Sequence, residues 1–129
     1  DIPAARPSKV LPHRTQRYLL ARHGDQVLLV KRPSPGIWGG LWCLPELGDE
    51  DDAKAAARLR FGVSRAGEAR ELPVIEHTFT HFRLSLHVAE LPVTKIEAST
   101  NSPGTLWLAG DDLLNAALPK PISRLLISL

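Results

Sequence analysis

Apolar and polar residues alternate from Phe82 to Ala89. Phe82, Leu84, Leu86 and Val88 fall on one face, and Arg83, Ser85, His87 and Ala89 on the other. A period of two is the mark of a half-buried strand. The apolar run Leu72-Pro-Val-Ile75 predicts a second strand, and residues 77–82, His-Thr-Phe-Thr-His-Phe, make a tight connection between the two. Arg17–Arg22 and Gln26–Arg32 flank His23-Gly24-Asp25 and predict a hairpin. Pro33-Ser-Pro-Gly36 breaks its second strand, and the loop Ile37-Trp38-Gly39-Gly40 leads into Leu41–Glu46. Ala53–Phe61 predicts a helix. Alanine is the best helix former, the acids of Gly48–Asp52 and the basic Arg58 and Arg60 complement the helix dipole, and Gly62 suits the stop. Residues 64–69 read as a polar connection, Ser99–Gly104 as a loop and Thr105–Ala109 as a short strand. Asp111 or Asp112 is a candidate cap for a short helix through Leu114, and Pro119–Ile127 reads as a final helix with proline in its first turn. Several strands with two or three helices predict an α+β sandwich.

The 129 residues are one domain's worth, long enough to bury a core without disulfides. The single cysteine, Cys43, excludes an internal disulfide and a multi-cysteine metal or iron–sulfur site. Its apolar neighbours Leu41, Trp42 and Leu44 predict a buried thiol. The formal charge of +2 is mild for a protein that lives on phosphate contacts alone. The charge is uneven: Arg6, Lys9, Arg14, Arg17, Arg22, Lys31 and Arg32 face only Asp1 and Asp25 in the first 32 residues, and the acid run Asp49–Asp52 offsets them. No apolar run is long enough to span a bilayer, so no membrane partner is expected. The chain opens on Asp1 with Pro3, Pro7 and Pro12. Residues 1–15 read as a semi-extended connector, and 16–129 as a domain cut from a longer protein and monomeric.

The chemistry concentrates in the connection at 77–82. A tight turn is best served by Gly, Asn or Asp. Here it carries an aromatic ring, a hydroxyl and an imidazole in consecutive positions, Phe79-Thr80-His81. That trio suits contact with a nucleobase; it also suits an ordinary strand crossing with Phe79 in the core. The two tryptophans beside Gly39 and Gly40 fit a loop packed over the sheet or a ligand contact.

From Gly40 to Gly62 the sequence resembles a Nudix box stripped of its carboxylates. Gly40 and Glu46 keep the family's spacing. Lys54-Ala55-Ala56 stands where Arg-Glu belongs, Arg58-Leu59-Arg60 where the double Glu belongs, and Gly62-Val63 fits the closing pair only with an insertion. Nudix hydrolysis needs several carboxylates on one helix turn to hold magnesium. The resemblance therefore implies a Nudix-like fold, a mixed β-sheet packed between helices, with a degenerate and non-catalytic box. Glu46 on its own reads as a carboxylate paired with a nearby arginine.

Three segments in order, Gly36–Glu46, His77–Phe82 and Ala117–Leu125, resemble the C-terminal domain of the MutY family of adenine DNA glycosylases, over nearly the whole chain. This implies DNA repair in a bacterial cytoplasm, at the nucleoid: double-stranded DNA with 8-oxoguanine opposite adenine as one partner, and the family's N-terminal catalytic domain as the other. The glycosylase chemistry and the iron–sulfur cluster belong to that absent domain, so no cofactor and no catalytic residue is expected here. The lesion-reading residues implied are Phe79, Thr80 and His81. Thr80 stands where the family carries Ser; it keeps the hydroxyl and adds a stiffening methyl. Phe79 as a wedge would contribute on the order of 1–3 kcal/mol. His77 reads as a support for the turn, and Lys120 and Arg124 as phosphate contacts or solvated charges. The alternatives are a diverged Nudix hydrolase of oxidised nucleotides and a protein-docking module.

Overall fold

The computed structural model describes residues 10–96 and 104–129. Among them the chain forms β1 (His13–His23), β2 (Gln26–Lys31), β3 (Trp42–Cys43), β4 (Glu46–Leu47), α1 (Ala53–Phe61), β5 (Val63–Ala66), β6 (Arg70–Glu71), β7 (Ile75–Thr78), β8 (Arg83–Ile96), β9 (Thr105–Ala109), α2 (Gly110–Leu114) and α3 (Lys120–Ile127).

The alternating run becomes β8, the longest strand. One edge of β8 pairs in parallel with β1, from His13↔Arg83 to Arg22↔Pro92. The other edge takes β5, β6 and β7, all antiparallel. The sheet order is β3-β2-β1-β8-β5, with β9 also on β2 and β4 also on β1. β1 and β2 meet as the expected hairpin at Arg22↔Val27 and His23↔Gln26.

Period-two patterning decides which layer each strand residue joins. Tyr18, Leu20, Leu84, Leu86 and Val88 pack with Leu113, Ile122 and Leu126 of the last two helices. Leu19, Ala21, Ala89, Leu91 and Val93 pack with Ala53, Ala56, Ala57 and Phe61 of α1. The sheet thus lies between helices, as the α+β, Nudix-like reading requires. Ala89 explains why β8 outruns its alternation: it shares a face with the polar Arg83, Ser85 and His87, but that face passes beneath α1 from Ala89 onward.

Helix α1 starts and stops where its sequence says. The Asp52 carboxylate accepts from the Ala55 N–H at 3.0 Å, a cap that contributes about 1 kcal/mol. Gly62 ends the helix at φ 67°, and its N–H reaches the carbonyls of Ala57 and Arg58. In the left-handed region a side chain would cost about 1 kcal/mol or more.

Four expectations shift. The strand expected at Leu72–Ile75 forms over Ile75–Thr78 instead, so His77 and Thr78 pair with β8 rather than belong to the connection. The polar connection at 64–69 begins inside a strand, because Val63 is buried and β5 pairs with the far half of β8. Helix α2 starts at Gly110, so Asp111 and Asp112 lie inside its first turn and act on its dipole; Ala109 at the cap offers no side-chain bond. Strand β1 begins at His13, inside the stretch read as connector, because Arg83 N–H donates to Pro12 O at 2.8 Å and His13 pairs with Arg83. The rest of the Pro-rich lead, residues 1–9, and most of the Ser99–Gly104 loop lie outside the described residues.

Candidate nucleic-acid interface

β7 and β8 run antiparallel in the register Ile75↔Leu86, Glu76↔Ser85, His77↔Leu84 and Thr78↔Arg83. The turn between them closes with Phe79 N–H donating to Phe82 O at 2.8 Å. The three consecutive turn residues divide. Phe79 is half-buried, while Thr80 and His81 are exposed. Among the described residues neither the Thr80 hydroxyl nor the His81 ring has a hydrogen-bond partner.

Phe79 stacks on Phe82 with ring centroids 4.5 Å apart and planes 21° apart. His77 meets it edge-on at 4.7 Å and 84°. Trp38 leans on both, at 5.5 Å from Phe79 and 5.9 Å from His77. Offset-stacked and edge-to-face contacts are the favoured aromatic geometries. The ring at position 79 is thus pinned by three neighbours, and the two polar residues are carried beyond it on a short, closed turn. His77 touches the turn through this contact.

Trp38 sits at φ 56°, a left-handed backbone that a bulky residue rarely adopts. Gly40, at φ 82°, donates its N–H to Arg32 O at 3.1 Å and completes the same loop. Trp38 and Trp42 are both half-buried against the core, so the loop packs over the sheet, and Trp38 also braces the turn.

The entry of β1 grips the same hairpin from both faces. The Arg14 guanidinium lies 4.3 Å over the Phe82 ring. On the opposite face His13 Nε2 is 2.6 Å from Ser85 Oγ. Ser85 Oγ in turn sits 2.8 and 2.9 Å from the two Glu76 carboxylate oxygens. A hydroxyl has one proton to give, so Ser85 donates to Glu76 and accepts from His13. Neither contact had a signal in the sequence, because His13 and Ser85 are 72 positions apart.

The remaining implied residues lie on α3. Arg124 lines an open groove of about 320 Å3 with Glu76, His77, Pro121 and Leu125. The structure therefore brings Arg124 and His77 to one groove beside the turn. Lys120 is exposed at the start of α3 and is not among the groove's lining.

The degenerate box is a different kind of place. Glu46 Oε2 is held at 2.6 Å by Arg32 Nη1, and Arg60 Nη1 donates to the Glu46 backbone oxygen at 2.6 Å. Arg58 and Arg60 occupy the last turn of α1. Tyr18, paired with Glu46 across β1 and β4, is buried on the sheet face away from α1, and its phenol is pushed far above its ordinary value by burial and by the neighbouring Cys43 and Glu46. Cys43 is fully buried, and burial pushes its thiol up to about 12. It is an inert core residue at neutral pH.

Comparison with known proteins agrees with this architecture. The model of the NUDIX domain family matches residues 17–128. The adenine DNA glycosylase of Mus musculus is 32% identical over 108 residues, covering 78% of this chain and 21% of that protein. The chain therefore spans about a fifth of the length of that relative. Among solved structures, the C-terminal domain of mouse MUTYH, determined in complex with human PCNA, is 26% identical with a TM-score of 0.69, over 85% of this chain and 82% of that one. The MutT protein of Methanosarcina mazei Go1, 17% identical at a TM-score of 0.63 over 92% of this chain and 93% of that one, shares the fold. The helix-flanked mixed sheet, the Gly40–Glu46 remnant and the family match over nearly the whole chain together place this chain in the NUDIX domain family, alongside the C-terminal domain of adenine DNA glycosylases.

Proposed function

We propose that this domain reads 8-oxoguanine opposite adenine in duplex DNA on behalf of an adenine DNA glycosylase, and that it is not itself a catalyst. One observation carries the reading. The β7–β8 turn holds Phe79 in an aromatic cluster while presenting Thr80 and His81, unpartnered among the described residues, to solvent. Polar groups that the fold does not use are available to a ligand without first breaking an internal bond.

The chemistry of the lesion fits a hydroxyl. Guanine shows acceptors at its ring nitrogen and carbonyl in the major groove. Oxidation puts a hydrogen on that nitrogen and a carbonyl beside it, so an acceptor becomes a donor and a new acceptor appears. Thr80 Oγ1 can accept from the first and donate to the second. Phe79 offers its remaining edge to a neighbouring base, and His81 a ring N–H to the backbone or the base. The likeness to adenine DNA glycosylases supports this reading, and so does the ion-paired Glu46: a carboxylate already neutralised by Arg32, with Arg60 on its backbone oxygen, is poorly suited to gather magnesium.

The test is binding of the 129-residue chain to two duplexes, one with 8-oxoguanine opposite adenine and one with guanine opposite adenine. Tighter binding of the oxidised duplex that Thr80→Ala removes is the expected result. Equal affinity for both duplexes would sink it. A second reading, docking to a PCNA-like partner, has the mouse MUTYH likeness in its favour. Binding of that partner in the absence of DNA is its test.

A further inference from the structure

We infer that Arg14 and Arg83 hold backbone phosphates of the duplex on either side of the Phe79–His81 turn. The inference rests on the reading of that turn as a DNA contact, and adds the charges that would hold the duplex there. The second position of β1 and the first of β8 place one arginine on each face of the sheet end. Arg14 pairs with Leu84 and shares the face of Phe82. Arg83 pairs with His13 and Thr78, and points the other way.

What marks these two is that no carboxylate takes up their charge. Both are exposed, and among the described residues neither is within ion-pair distance of a carboxylate. Other arginines of the sheet and its loops are committed. Arg17 donates to the carbonyls of Gly48 and Asp51, Arg32 to Glu46, and Arg22 and Arg70 to Glu90. Glu76 shares the face of Arg83, but its carboxylate already takes the Ser85 hydroxyl.

Arg14 is also oriented. A guanidinium stacked on a ring keeps its N–H groups in its own plane, directed outward, while the ring restricts its rotamers. That planar fork matches two oxygens of one phosphate. Phe82 thereby serves twice, stacking on Phe79 and seating Arg14. An anion in this position lies next to the exposed Thr80 and His81, where a duplex backbone must run if Thr80 is to reach a base.

The experiment is a salt titration of the whole chain by fluorescence anisotropy, on the oxidised and the unoxidised duplex. Arg14→Gln and Arg83→Gln should each flatten the slope of log affinity against log salt by about one, and the double variant by about two. The weakening should be equal on both duplexes, because phosphates carry no lesion. Arg14→Lys and Arg83→Lys should keep the slope, and Arg58→Gln, an exposed residue of α1, should leave it unchanged. A double Gln variant with the parental slope overturns the assignment. So does a loss shared by the Lys variants, which keep the charge, and so does a parent chain that binds neither duplex at low salt. If the parent binds both duplexes equally while the Gln variants flatten the slope, the phosphate contacts stand and lesion reading by Thr80 falls.

Discussion

The Glu46 corner and the Phe79–His81 turn are both polar, and they use their polarity in opposite ways. At the Glu46 corner the fold consumes it. Arg32 holds the carboxylate, Arg60 takes the backbone oxygen, Asp52 caps α1, and Arg17 gathers three loop carbonyls. At the turn the fold withholds it. Thr80 and His81 project from a closed loop while the aromatic residues beneath them do the packing. A polar group paired inside the protein has little left to offer a ligand; an unpaired one on a rigid support has nearly all of it. The difference separates a corner whose polar groups serve the fold from a turn whose polar groups stay exposed.

The comparison breaks most visibly in stability. Glu46→Ala leaves the mostly buried Arg32 without its partner. Because the Glu46 side chain is itself 40% exposed, the cost should fall below that of a fully buried pair, at about 2–3 kcal/mol. Urea denaturation measures it, and DNA binding by the folded variant should be unaffected. Phe79→Ala should cost about 2 kcal/mol, since a half-buried ring is removed from a cluster. Unlike Glu46→Ala, it should also abolish the preference for the oxidised duplex.

A pH series sharpens the same contrast on a third group. Glu90 is buried, which raises its pKa, but hydrogen bonds and charge from Arg22 and Arg70 outweigh burial and hold the carboxyl below its ordinary value. A depressed pKa stabilises the folded state fully above the unfolded value, and that contribution is lost as pH falls through the folded value. Urea midpoints should therefore drop in acid, and Glu90→Gln should flatten that limb while lowering stability at neutral pH.

The smallest effect on the fold should come from Thr80→Ala, under about 0.5 kcal/mol, as for other exposed positions. The preference between duplexes should nonetheless fall roughly fivefold, the equivalent of one hydrogen bond of about 1 kcal/mol. A preference that survives Thr80→Ala would move the reading of the lesion to another residue of the turn. A large loss of stability would mean that the hydroxyl serves the fold after all.

By itself the sequence determined the elements whose information is local. Alternation from Phe82 to Val88, the acid-capped Ala53–Phe61 helix with Gly62 behind it, the Gly24 hairpin and the proline-led final helix all reappear in the structure. Each follows from neighbouring residues: side-chain period, capping, and the backbone freedom of glycine. The same local reading singled out residues 77–82, because an aromatic, a hydroxyl and an imidazole are poor choices for a turn that needs none of them. Only the tertiary structure decided what lies around that turn. The parallel pairing of β1 with β8 brought His13 and Arg14 beside it from about 70 positions away, and the Gly36–Gly40 loop laid Trp38 on Phe79. Such contacts depend on register between distant strands. Alternation within one strand shows which residues share a face, but it does not name the strand that will lie alongside.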